Sequence, residues 1–141
     1  MSIRLLIADD QALVRGALAA LLDLEPDLEV VAEVGRGDEV VEAAKNSLPD
    51  VALLDVEMPG LDGIEAAAAL RIAAPGVRVL MVTTFGRPGY LRRAMEAGAA
   101  GFVVKDTPAT QLADAVRRVH QGLRVVDPSL AAETLVAGTS P

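Results

Sequence analysis

The sequence predicts an α/β fold, a five-stranded parallel sheet with helices on both faces. Three observations carry this. Short apolar runs alternate with helix-period stripes five times along the 141 residues. The runs are continuous rather than alternating, as strands covered on both faces must be. Pro, Gly and acidic residues punctuate the joins, and strands alternating with helices build parallel sheets with right-handed crossovers.

Ile3–Ala8 reads as the first strand. Leu13, Ala17, Ala20, Leu21 and Leu24 are spaced for the core face of a first helix, which Pro26-Asp27 breaks. Leu28–Val34 is the second strand, and Val40, Ala44 and Leu48 stripe a helix that Pro49 ends. Val51–Leu54 is the third strand. A turn over 58–63 leads to an Ala-rich helix from Ile64 to Ala73, closed by Pro75-Gly76. Val77–Thr83 is the fourth strand; Leu91, Ala94 and Met95 mark a short helix stopped at Gly98. Phe102–Val104 is the fifth strand. Leu112, Val116, Val119 and Leu123 stripe the last helix, which ends near Gly122.

Composition narrows the function. At 52 % apolar but only 2 % aromatic, the core is built from Val, Leu, Ile and Ala, and stacking platforms for single-stranded nucleic acid are disfavoured. The absence of cysteine removes thiolate metal sites and a cysteine nucleophile. A net charge of −7 repels a phosphate backbone, so binding to DNA is not expected of this domain alone. No signal peptide or membrane span is expected, which points to a cytoplasmic protein without membrane partners.

The chemistry lies at the strand ends. Asp9 and Asp10 follow the first strand, Asp55 closes the third, Thr83 and Thr84 close the fourth, and Lys105 follows the fifth. In a parallel sheet these positions share one edge, where doubly wound folds bind ligands. Each has a plainer reading: Asp10 as a helix cap, Thr83 as a structural hydroxyl, Lys105 as a surface cation. Three converging carboxylates repel one another unless one is protonated or a cation binds, and oxygen-only ligands suit Mg²⁺. A carboxylate can attack phosphorus and form an aspartyl phosphate; Lys105, Thr83 and the metal would stabilise the transferring group.

The pieces Ile7-Ala8-Asp9-Asp10, Leu54-Asp55-Val56-Glu57-Met58-Pro59-Gly60-Leu61-Asp62-Gly63, Val82-Thr83-Thr84-Phe85 and Gly101-Phe102-Val103-Val104-Lys105-Asp106 resemble the receiver domain of two-component response regulators. The match covers residues 1–124 and implies the (βα)5 flavodoxin-like receiver fold with strand order 2-1-3-4-5, which makes strands one and three neighbours. It implies Asp55 as phosphoacceptor, and Asp9, Asp10, Asp55 and the Glu57 backbone carbonyl as Mg²⁺ ligands. It also implies Lys105 as the phosphate-contacting lysine, Thr83 as the switch hydroxyl, and Phe102 as an aromatic that turns inward on activation. A sensor histidine kinase is the implied phosphodonor, and the chain is a signalling switch rather than an enzyme acting on other substrates.

Asp106 stands where many receivers have Pro. This Lys-Asp pair, the Thr83-Thr84-Phe85 run and the Gly122-Leu123-Arg124 segment resemble the LuxR/FixJ (NarL-type) subfamily. On that resemblance residues 125–141 are a linker, with a partial helix around Leu130–Val136, toward a helix-turn-helix DNA-binding domain absent from this chain. Helix one carries a second apolar stripe, Val14, Leu18 and Leu22. It is either part of a broad core face or, with Arg117 and Arg118 as polar rim, a homodimer surface used on phosphorylation.

The competing readings are a flavodoxin-like carrier, an aspartyl-nucleophile phosphatase and a receiver that no longer takes phosphate. The first is weakened by the absence of Trp and the single Tyr, and no Gly-rich phosphate loop follows strand one. The second would show an Asp where Glu57 stands, and the third conflicts with the full set of key residues.

Overall fold

The computed structural model describes residues 2–84 and 89–128 of the chain. Phe85 of the Val82-Thr83-Thr84-Phe85 run and the expected partial helix at Leu130–Val136 lie outside the described residues.

The elements alternate from the start: β1 (Ile3–Ala8), α1 (Ala12–Asp23), β2 (Leu28–Val34), a 3-10 turn (Gly37–Glu39), α2 (Val40–Ser47) and β3 (Val51–Asp55). There follow α3 (Gly63–Ala73), β4 (Arg78–Thr83), α4 (Tyr90–Glu96), β5 (Gly101–Val104), α5 (Ala109–His120) and β6 (Val125–Val126). All neighbouring strands pair in parallel, in the order β2-β1-β3-β4-β5-β6.

The order 2-1-3-4-5 is the expected one, but the sheet has a sixth strand. After α5 the chain turns at Gln121-Gly122, and Val125 and Asp127 donate to the carbonyls of Ala100 and Phe102 at 3.2 and 3.0 Å. Two valines are too short a run to stand out as a strand; what makes them one is the free edge of β5. They fall at the start of the segment expected to be linker.

Strand residues alternate between two cores, because successive side chains point to opposite faces. Leu6, Ala52, Leu54, Met81 and Phe102 pack with α2, α3 and α4 residues such as Val40, Ala67, Leu70 and Ala94. Leu5, Ile7, Leu53, Leu80 and Val103 pack with Ala19 and Leu22 of α1 and Leu112, Val116 and Val119 of α5. The result is three layers with both sheet faces covered, which is why the strands are apolar throughout.

α1 is phased differently from expectation. Leu13 is 87 % exposed and Leu24 77 % exposed, with Ala17, Ala20 and Leu21 also on the outside. Leu22 is wholly buried, Ala19 is buried, and Leu18 packs partly buried against the core. Of the stripe Val14, Leu18, Leu22, Leu22 is thus a core residue and Leu18 packs on the core, while Val14 is half-buried, which fits the broad core face. Almost every residue of α1 is apolar, so periodicity does not fix which face turns in; packing against β2 and α5 does.

Two other stripe positions also fall outside. Leu48 ends α2 in a left-handed conformation, with φ +52°, and points to solvent. Leu123 lies beyond the end of α5 and is half exposed.

Arg117 is held by its own chain, since its guanidinium donates to Asp27, Glu25 and Asp114 at 2.6–3.0 Å. These bonds hold its pKa above the ordinary arginine value, with Asp27 the largest contributor. Arg118 is exposed.

Candidate functional site

The carboxyl ends of β1, β3, β4 and β5 bring the charged residues together as the strand order requires. β1 and β3 are neighbours, so Asp9, just past β1, and Asp55, the last residue of β3, sit side by side. Both are buried, at 2 % and 5 % exposure. Asp10 is exposed, and one oxygen from each of the three lies within 4.8 Å of the other two. α1 is capped by Gln11 without a side-chain bond, so Asp10 is not spent as a helix cap. Donors are scarce around it: among the described residues none reaches its carboxylate, which leaves it open to a cation.

Lys105 closes the cluster. Its ammonium donates to Asp9 Oδ2 at 2.8 Å and to Asp55 Oδ2 at 3.0 Å. The Lys105 backbone N–H bonds the Thr83 carbonyl at 2.7 Å, so β4 carries the lysine into place. It is not the solvated surface cation of the plainer reading.

Burial pushes the Asp55 carboxyl above the ordinary carboxylate range. The Lys105 bond and charge pull it down, and the Asp9 charge pushes it up again. For Lys105, burial works against the ammonium, but the bonds to Asp9 and Asp55 outweigh it and raise its pKa.

Thr83 is buried at 3 % exposure and ends β4 on the same edge. Glu57 is exposed at the mouth; its N–H donates to Asp55 Oδ1 at 3.4 Å and its carboxylate accepts from the Tyr90 hydroxyl at 3.4 Å. Phe102 is wholly buried. An aromatic that turns inward on activation was expected, yet here the ring already lies in the core beside the α4 residues, with Val126 of β6 opposite it in register.

One structural requirement of the site escaped the sequence reading. Gly63 opens α3 against the end of β3, where a Cβ would stand 2.0 Å from the Asp55 carbonyl oxygen. A glycine at the first position of a helix, behind the well-formed Asp62/Glu65 capping box, is the signal that was available.

The arrangement offers an oxygen-rich cation site beside one buried carboxylate, a shared ammonium and a hydroxyl-bearing residue. Over residues 5–117 the sequence matches the profile of the response regulator receiver domain. The chain belongs to this family. It is 44 % identical over 128 residues to the transcriptional regulatory protein DesR of Bacillus subtilis, covering 91 % of this chain and 63 % of DesR. It is 41 % identical over 133 residues to the transcriptional regulatory protein LnrK of the same organism, covering 94 % of this chain and 60 % of LnrK. The crystal structure of a DNA-binding response regulator of the LuxR family from Staphylococcus aureus superposes with a TM-score of 0.79 at 33 % identity, over 84 % of this chain and 98 % of that one.

This receiver thus spans about three fifths of the curated relatives' length. Its relatives are LuxR-family transcriptional regulators. Among its described residues no helix is long and apolar enough to cross a membrane.

Proposed function

We propose that this receiver is a Mg²⁺-dependent phospho-switch whose acceptor is Asp55, working in the cytoplasm between a sensor histidine kinase and a DNA-binding output domain. The observation that supports it best is Lys105 shared between Asp9 and Asp55, with Asp10 left open beside them.

An Asp55 oxygen attacks the phosphorus of a phosphohistidine. The P–N bond breaks, its electron pair stays on the imidazole nitrogen, and that nitrogen takes a proton. Lys105 neutralises charge on the transferring oxygens, and Thr83 supplies a hydroxyl to the product. Asp9, Asp10, Asp55 and the Glu57 carbonyl would hold Mg²⁺, which supplies electrostatic stabilisation of the phosphoryl oxygens. Hydrolysis of the acyl phosphate returns the switch to rest.

The response is a repacking of the side formed by α4, β5 and α5. Because Phe102 is already enclosed, Thr83 and the start of α4 carry the change rather than a ring swinging in from solvent. Moving the equilibrium from 1:99 to 99:1 takes about 5.5 kcal/mol of preference for the active state. Charge-assisted bonds to the phosphoryl group supply a large part of it. The output is transcriptional control, with homodimerisation on phosphorylation. The residues from about 125 onward serve as the linker to the output domain, beginning with β6 on the sheet edge.

Incubation with Mg²⁺ and a small-molecule phosphodonor, followed by intact mass, tests this. One phosphoryl adduct is expected, dependent on Mg²⁺, cleaved by hydroxylamine and absent from Asp55→Ala. A folded protein that gains no adduct would refute it.

A further inference from the structure

Asp10 has no side-chain bond to hold it, yet metal ligation needs its carboxylate aimed. Its orientation comes from the backbone of the β1–α1 turn. The peptide plane joining Asp9 to Asp10 is held at its oxygen by Arg15, one turn into α1. The guanidinium Nη1 donates to the Asp9 carbonyl at 2.6 Å, a charge-assisted bond. The preceding plane is fixed as well, because the Asp9 N–H donates to the Val34 carbonyl at 3.1 Å. With the planes on both sides of Asp9 held, and the Gln11 N–H donating to Asp9 Oδ1 at 2.9 Å across the turn, the backbone from which Asp10 projects is kept in one conformation.

Arg15 is in turn seated by β2. Its Nε lies 3.9 Å from Glu33 Oε1, and its side chain is 23 % exposed. Gly35, just past β2, leaves the space it occupies: a Cβ there would stand 2.9 Å from Arg15 Nη1. Bond, ion pair and gap all serve one guanidinium position, and that position touches no other part of the acidic cluster.

We infer that Arg15 is a positioning residue for the cation site, setting the Asp9–Asp10 peptide plane so that the open Asp10 carboxylate faces Asp55. This rests on the Mg²⁺ reading above. Arg15 also carries a positive charge near the cluster, and charge alone would weaken cation binding. The two effects therefore have opposite signs, which makes the inference testable.

Calorimetric titration of Mg²⁺ into the metal-free protein reads it out, with thermal midpoints in EDTA reporting the fold. Arg15→Met is expected to weaken Mg²⁺ about 10-fold, the lower end of the effect of removing a bond behind a metal ligand. Arg15→Lys, which keeps one donor and the charge, recovers part of the loss. Gly35→Ala keeps the charge and displaces the guanidinium, so it weakens Mg²⁺ in the same direction. The Mg²⁺ concentration for half-maximal phosphorylation rises in parallel, while the rate at saturating Mg²⁺ changes less. Equal or tighter binding by Arg15→Met would mean that the arginine acts by charge alone and would overturn the positioning role. Absence of Mg²⁺ binding by the unmodified protein, or binding that survives Asp10→Asn, would instead sink the metal reading on which it rests.

Discussion

Replacing Lys105 by Met tests the electrostatics of the pocket most directly. The side chain is nearly isosteric, so packing is kept while the ammonium is lost. Asp9 and Asp55 then face each other with side-chain exposures of 2 % and 6 % and no counter-ion. Removing one partner of a buried ion pair costs 3–5 kcal/mol, because the other charge stays buried and uncompensated. Asp55 limits the cost, since burial already raises its pKa and a proton can replace the lysine. The lower figure, about 3 kcal/mol at pH 7.5, is therefore expected. For a domain this size it is a fall of roughly 10 °C in thermal midpoint.

Two conditions sharpen the experiment. With the lysine gone, the folded Asp55 binds its proton still more tightly than the unfolded chain does. Lowering the pH through the folded pKa then favours the folded variant, and its deficit against wild type shrinks. On the alkaline side, the raised Lys105 pKa keeps the wild-type bonds intact past the free lysine value, and they are lost as pH rises through the folded one. Saturating Mg²⁺ at 100 times its Kd adds about 2.7 kcal/mol to wild type, and more to the variant, whose pocket is the more negative. Differential scanning calorimetry in EDTA and in Mg²⁺, at pH 5.5 and 7.5, gives four midpoints for each protein. Equal midpoints for wild type and variant in EDTA at pH 7.5, or a deficit that grows on acidification, would refute the argument.

The phasing of α1 is checked by a pair of substitutions. Leu22→Ala is expected to cost 2–5 kcal/mol in urea unfolding, and Leu24→Ser, on a side chain 77 % exposed, less than about 0.5 kcal/mol. Gly63→Ala drives a methyl into the Asp55 carbonyl, which stands 2.0 Å away. It should cost about 1–3 kcal/mol as overpacking and slow phosphorylation of Asp55 at saturating Mg²⁺, read by urea midpoint and by intact mass against time.

Strand-end chemistry was legible in the sequence because it depends on order alone. Once five apolar runs are parallel, Asp9, Asp55, Thr83 and Lys105 must share an edge; that β1 and β3 are neighbours came only with the family resemblance, and the sheet order bears it out. The phase of α1 was not legible, since a helix apolar on nearly every side carries no periodic signal to choose by. β6 was missed for a related reason. Two valines do not form a strand by propensity; the unpaired edge of β5 recruits them, and that edge exists only in three dimensions. Val126 of the same strand, β6, packs on the cluster that encloses Phe102. Gly63 and Arg15 act through backbone carbonyls, which sequence reading by side-chain type passes over.

The pocket is best understood from its charge. Asp9, Asp10 and Asp55 bring three carboxylates, and Lys105 brings one ammonium already shared between the two buried ones. Two negative charges remain uncompensated, a deficit that a divalent cation would fill. Phosphorylation would convert the single charge on Asp55 into a dianion farther out along the same side chain. Lys105 cannot then serve Asp9 and Asp55 as it does at rest: one of its two bonds must follow the phosphoryl oxygens. Because the Lys105 N–H is bonded to the Thr83 carbonyl, a pull on the lysine is also a pull on the end of β4. The first residue of α4, Tyr90, is tied to Glu57 at the mouth of the same site. On this reading, the resting pocket holds the lysine between two claims, and the phosphoryl group decides between them.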